Sequence, residues 1–144
     1  MSRVELAARQ AALVAALVTG GKLPDGVDGA RLAIARQALL RKQAGEVATT
    51  WPLLAASLGP AWIPSFAQWA AGRPPQGYLR DGWDLARELA AAGQLAPLGR
   101  DELAAREVIW RYNGRSAPQR RRLPALRRVP GGMIVGLAGR ARRF

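Results

Sequence analysis

The sequence predicts a mainly α protein, a helical bundle of about five helices followed by a short basic C-terminal β-hairpin or extended tail. Three observations carry this. Apolar residues recur at three- and four-residue spacings through most of residues 1–114, which is the period of an amphipathic helix. Glycine, proline and Asx residues fall between those stretches, where helices start and stop. Residues 115–144 then change character, with nine arginines, no acidic residue and a Pro-Gly-Gly between β-prone runs. The chain therefore divides into a helical domain over 1–114 and an Arg-rich tail over 115–144, with a hairpin over 125–137.

The first helix is expected over 3–19, with Leu6, Leu13, Val14, Leu17 and Val18 on one face and Gly20-Gly21 as its stop. Pro24-Asp25-Gly26 reads as a turn. Asp28 is a good N-cap for a second helix running through Leu32, Ala35, Leu39 and Leu40 toward Val47. Arg31, Arg36, Arg41 and Lys42 stud that helix and read as a solvated face. Trp51-Pro52 must break it, because proline lacks the N–H and clashes with the preceding turn.

A short helix follows through Leu53, Leu54 and Leu58 to Gly59. The next, over 62–71, sets Trp62, Phe66 and Trp69 at helical spacing and stops at Gly72. Arg73-Pro74-Pro75-Gln76-Gly77 is a rigid connector. Asp81 is expected to cap a helix over 83–92, and Asp101 to cap a last one carrying Leu103, Val108 and Trp110, with Asn113-Gly114 as its left-handed stop. Trp51, Trp62, Trp69, Trp83 and Trp110 could stack on bases, but large aromatics on apolar helix faces belong to the core. In the tail, Ala125 to Val129 and Met133 to Leu137 flank Pro130-Gly131-Gly132, the pattern of two strands and a turn. A lone hairpin is marginal in water, so it must dock on the helices or on a partner, or stay mobile.

Charge sets the functional expectation. The chain carries 22 Lys and Arg against 10 Asp and Glu, a net charge of +12. The first 114 residues hold thirteen of those bases and all ten acids, so the excess sits in the tail. The tail arginines Arg115, Arg120, Arg121, Arg122, Arg127, Arg128, Arg140, Arg142 and Arg143 are thus the candidate site, for an acidic protein surface or for phosphate. The chain has neither histidine nor cysteine. Disulfides, thiolate nucleophiles, the usual zinc sets and His-based acid–base chemistry are excluded with them.

No catalytic residues, no metal ligands and no cofactor are expected. Asp81 with Asp84, and Glu46 beside Thr49 and Thr50, read as caps and solvated polar groups rather than an acid–base pair. No apolar run approaches a membrane span, and Met-Ser-Arg-Val-Glu-Leu does not resemble a secretory leader, so a cytoplasmic location and no membrane partner are expected.

The order of features resembles a family often labelled a DNA-binding domain (HvfC/BufC/MbnC-like). Its better-understood members are partner proteins of multinuclear non-haem iron oxidative enzymes that modify ribosomal peptides, as in methanobactin biosynthesis. The resemblance rests on Leu6-Ala7-Ala8-Arg9-Gln10 in the first helix and on the arginine-bearing helix from Arg36 to Arg41. It continues with Trp51-Pro52-Leu53-Leu54 leading to Leu58-Gly59, then Trp62 to Trp69, Pro74-Pro75, Asp81-Gly82-Trp83 and Leu103-Ala104-Ala105-Arg106-Glu107. It spans residues 5–112. Members usually carry a larger C-terminal β-containing module; the short basic tail here looks closer to compact actinobacterial versions, which also occur fused to the oxidative enzyme.

The resemblance implies a non-catalytic accessory protein that binds an iron-dependent oxidative enzyme or its acidic precursor peptide. A hairpin adding a strand to a partner's sheet edge or to an extended peptide would supply the contact. The alternative is a DNA-binding protein acting through the Arg-rich tail. Its affinity would fall steeply with salt, although no helix-turn-helix reader is apparent.

Overall fold

In the computed structural model, which describes residues 1–20, 22 and 24–144, six α-helices precede five short strands. The helices are α1 (Arg3–Thr19), α2 (Gly29–Thr50), α3 (Pro52–Leu58), α4 (Trp62–Ala70), α5 (Tyr78–Ala91) and α6 (Pro97–Ile109), with a 3₁₀ turn at Gly59–Ala61 before α4. The strands are β1 (Trp110–Arg111), β2 (Gln119–Arg120), β3 (Ala125–Val129), β4 (Gly132–Leu137) and β5 (Arg140–Arg143). The protein is mainly α with a small antiparallel C-terminal sheet, the class that the apolar periodicity predicts. No helix among the described residues is long and apolar enough to cross a membrane.

Local chemistry explains the helix ends. Ser2 and Glu5 form a reciprocal capping box at the start of α1, which satisfies two otherwise unpaired N–H groups. Gly20, at φ 77°, ends α1; Gly21 lies outside the described residues. Asp28 caps α2 by accepting from the Ala30 N–H at 3.0 Å. Arg36 departs from the solvated face expected of α2. Its guanidinium donates to the Ala16 carbonyl, tying α2 to the C-terminal turn of α1.

The bundle core is built on the break at Trp51-Pro52. Trp51 is fully buried, with its ring edge-on to Trp83 (centroids 5.7 Å apart) and its Nε1–H donating to the Leu79 carbonyl at 3.0 Å. Val47, Leu54, Trp62, Phe66, Leu85 and Leu103 close around these rings. Trp62 also donates from Nε1 to the Ala44 carbonyl at 3.0 Å, so these two buried indoles have partners. Trp69 and Trp110 are half-buried, and each carries an arginine over its ring, Arg73 and Arg120 respectively.

Three expected helix boundaries shift. α5 begins at Tyr78 rather than near Trp83, because Gly77 at φ 97° turns the chain in. Asp81 therefore sits inside the helix, where its buried carboxylate reaches back to the Gln76 N–H at 3.0 Å. α6 begins at Pro97, a first-turn proline that needs no N–H partner, so Asp101 lies within the helix and caps nothing. It ends at Ile109, not at Asn113-Gly114. Trp110 is already extended, at φ −120° and ψ 151°, and pairs with Arg120 across β1–β2.

β3, β4 and β5 form one antiparallel sheet with β4 in the middle. β3 and β4 fall within residues 125–137. β5 is not predicted by the pattern, since Arg-Ala-Arg-Arg contains no β-branched or aromatic residue. Its turn, Ala138-Gly139, has positive φ at both residues (51° and 78°), the primed geometry of a tight hairpin, but lacks the usual Asn-Gly or Asp-Gly signal. The sheet lies on α6, where Ala104 and Val108 meet Ile134, which is 4% exposed.

Two glycines allow close approaches in the two cores. A Cβ at Gly82 would enter the Trp51 ring, and one at Gly136 would enter the Val108 backbone. Gly82→Ala is expected to cost about 1–3 kcal/mol, the range for overpacking a filled core. Urea denaturation should show a lower midpoint with an unchanged slope. Gly136→Ala should loosen the sheet from α6 while far-UV circular dichroism retains the helical signal.

Candidate binding surface

The sheet sorts its arginines by parity. Directly opposed residues of an antiparallel sheet share a face, and alternate residues point opposite ways. Ala125, Arg127, Val129, Ile134, Gly136 and Arg143 are thus turned toward α6 by the observed register. Leu126, Arg128, Met133, Val135, Leu137, Arg140 and Arg142 make the outer face.

The two arginines on the inner face both meet α6 carboxylates. Arg127 Nε donates to Glu107 Oε2 at 3.3 Å, and the Arg143 guanidinium donates to Asp101 and, at 2.7 Å, to the Pro130 carbonyl. One anchors the β3 edge and the other the β5 edge, on either side of Ile134.

Four of the nine candidate arginines are therefore engaged within the molecule. Besides Arg127 and Arg143, Arg121 donates from Nε to the Glu107 and Trp110 carbonyls at 2.8 and 3.3 Å, and the Arg120 guanidinium lies 5.5 Å from the Trp110 ring centroid. Arg115, Arg122, Arg128, Arg140 and Arg142 are exposed, and their side chains make no hydrogen bond or ion pair among the described residues. The tail does not gather nine equal charges into one patch. It uses some to fasten itself and presents the others.

Glu107 is the centre of that fastening. Its Oε1 accepts from Arg87 Nε at 2.9 Å and from Trp83 Nε1 at 3.5 Å, while Oε2 takes Arg127. Burial pushes the carboxyl up, but the Arg87, Arg127 and Trp83 donors outweigh it and hold it below the ordinary 4.5. Local sequence does not mark Asp101 and Glu107 as anchors. Their signal is the six-residue spacing on α6 opposite inward-facing Arg127 and Arg143, which becomes legible only once the strand register is known.

The carboxylates considered for catalysis are occupied internally. Burial raises Asp81 and Asp84 above the usual aspartate value; Asp81 accepts from the Gln76 N–H and Asp84 from the Tyr112 hydroxyl at 3.2 Å. Thr49 and Thr50 donate to the Gly45 and Glu46 carbonyls of their own helix, at 3.1 and 3.2 Å.

β3 is an edge strand, and beside it a cleft of about 440 Å³ runs between the sheet and the α5–α6 region. Leu95, Leu103 and Val129 contribute apolar lining and Arg100, Arg127 and Arg128 its charge. The Leu126 carbonyl is taken by the guanidinium of Arg127 at 3.1 Å rather than by β4. In an antiparallel ladder a residue's N–H and carbonyl point the same way, so the Leu126 N–H also faces the open edge.

Substituting Arg122 and Arg128 by Glu should leave the melting temperature nearly unchanged, as exposed charges usually do. Arg121→Glu should lower it clearly, because it leaves the Glu107 and Trp110 carbonyls without their donor. Scanning calorimetry of the two variants separates the roles. Glu107 gives a pH test. Its depressed folded-state value means that its stabilisation is present above its ordinary 4.5 and is lost as pH falls through the folded value. Urea midpoints measured from about pH 7 down to about pH 3 should fall steeply in the parent. In Glu107→Gln they should begin lower and fall less.

Comparison with known proteins places the helical part of this architecture. Residues 7–91 match the family described as "SCO6045-like, C-terminal domain". That match runs from Ala7 within α1 to the end of α5 and stops before α6 and the sheet. A "UPF0276 protein" from Streptomyces avermitilis is 42% identical over 94 residues, which are 65% of this chain and 19% of that protein. The chain thus spans about a fifth of the length of this curated relative. No solved structure matches it significantly. With more than half of its residues within the family match, the chain belongs to the SCO6045-like C-terminal domain family.

Proposed function

We propose that the chain is a non-catalytic accessory domain that binds an extended, acidic segment of a larger protein. That larger protein is an oxidative iron enzyme acting on ribosomal peptides, or the peptide it modifies. The observation that carries this is the open edge of β3 beside a cleft with an apolar lining and three arginines. An added strand would hydrogen-bond to the Leu126 N–H. Its apolar side chains would reach Leu95, Leu103 and Val129, and its carboxylates would meet Arg100 and Arg128. The helix order from Gln10 to Glu107, similar to that of enzyme-partner proteins, supports the reading. So does the relative in Streptomyces avermitilis, in which four fifths of the protein lies outside the matched segment.

The test is to co-express this chain with the part of that relative outside the matched segment, and to capture the tagged chain. The reading expects co-purification, lost in Leu126→Pro, which removes the edge N–H without touching the inner face. Failure of the intact chain to associate, with both partners soluble, would overturn it. A chain that instead retains duplex DNA, with binding that weakens steeply as salt rises, would favour the nucleic-acid alternative.

A further inference from the structure

The β1–β2 pair builds a second cationic site, separate from the β3 edge. A cleft of about 510 Å³ opens here, lined by Arg111, Gln119, Arg120, Arg121 and Arg122 with Leu123 behind them. A smaller cleft of about 160 Å³ adjoins it and shares Arg120, Arg121 and Arg122, with the Ala138-Gly139 turn as its far wall. No described carboxylate lines either one. Three other clefts each contain at least one, namely Glu107, Asp101 with Glu102, and Glu88. Four guanidinium groups around one concavity repel one another, an arrangement that a bound polyanion relieves.

Two of the four groups are also held in place. Pairing of Trp110 with Arg120 and of Arg111 with Gln119 fixes the strands that carry them. Arg120 is stacked over Trp110, with the Gly139 backbone beside its guanidinium, where an added Cβ would lie 3.1 Å from Nη2. Arg121 spends Nε on two carbonyls, and its terminal nitrogens make no hydrogen bond among the described residues. Planar guanidinium forks that are already ordered suit phosphate, which they bind bidentately and with little loss of side-chain freedom. The volume lies in the usual range for a small-molecule site.

We propose that this cleft binds a compact polyphosphate group through Arg111, Arg120, Arg121 and Arg122. The group can come from a free nucleotide or from an inorganic polyphosphate. No aromatic ring lines either cleft, and Trp110, opposite Arg120 in the strand pair, is half-buried with that arginine over it, so the site reads phosphate and offers no platform for a base.

Isothermal titration of the full chain with sodium triphosphate, pyrophosphate and ATP tests this at about physiological ionic strength. Triphosphate and ATP should bind with affinities within a few-fold of each other, and pyrophosphate more weakly. The double variant Arg120→Gln/Arg122→Gln should lose at least about tenfold in affinity, equivalent to about 1.4 kcal/mol. Arg140→Gln/Arg142→Gln removes the same charge from the outer sheet face and should stay within about twofold. Circular dichroism of both variants should match the parent. ATP binding far tighter than triphosphate would assign the source as a nucleotide and keep the phosphate site. Equal losses in the two variants would overturn the proposal, since the affinity would then follow net charge alone. So would the absence of binding to any of the three ligands.

Discussion

The structure depends on how α6 repairs the helix break at Trp51-Pro52. There α2 ends in unpaired carbonyls and α3 begins in unpaired N–H groups, and Trp51 has no side-chain oxygen to cap either. Two side chains one turn apart on α6 supply what is missing. The Glu102 carboxylate accepts from the buried Leu54 N–H at 2.6 Å, an anion at the positive end of α3. The Arg106 guanidinium donates to the Thr50 carbonyl, a cation at the negative end of α2, and lies 4.2 Å from the Trp51 ring centroid. Burial raises the Glu102 carboxyl and lowers the Arg106 guanidinium from their ordinary values, so each needs the other close by. Loss of one member of such a pair typically costs about 3–5 kcal/mol.

The other side of the same helix supports the sheet. Ala104 and Val108 alternate with Glu102 and Arg106 at helical spacing, so thirteen residues carry both cores. The sheet could not stand alone, because its inner face contributes a single fully buried side chain, Ile134. It is held by that contact, by Gly136 lying flat on the helix, and by the arginine–carboxylate contacts at its two edges. The candidate binding surfaces follow from this seating. A sheet fastened along its inner face leaves the outer face and the β3 edge free. The β1–β2 pair, which brings Arg111 across from the tail, begins at the residue after α6 ends.

Much of this was legible in the sequence. The helix order, the Asp28 cap, the break at Trp51-Pro52 and the burial of Trp51, Trp62 and Trp83 follow from periodicity and from what proline and large aromatics require. The misplaced boundaries have one cause. Asp81 and Asp101 are ordinary N-cap residues in local sequence, and only tertiary contacts show that Gly77 and Pro97 start those helices instead. Composition does not reveal parity, so by sequence alone the arginines form one charged tail. Arg127 and Arg128 are neighbours in sequence, yet one is tied to Glu107 and the other faces solvent. Arg111 fell outside the tail altogether and is joined to it by strand pairing with Gln119.

The order of synthesis gives the seating of Ile134 a further meaning. Helices α1 to α5 contain most of the first core and emerge from the ribosome first, since domains form from the N-terminus as the chain is made. The apolar back of α6 has to wait, because the residue that covers Val108 comes 26 positions later, on the middle strand. During that interval the nascent chain shows an uncovered Ala104–Val108 stripe and has no β3 edge to offer. The open edge of β3 therefore comes into being only with the packing step that seats the sheet on α6.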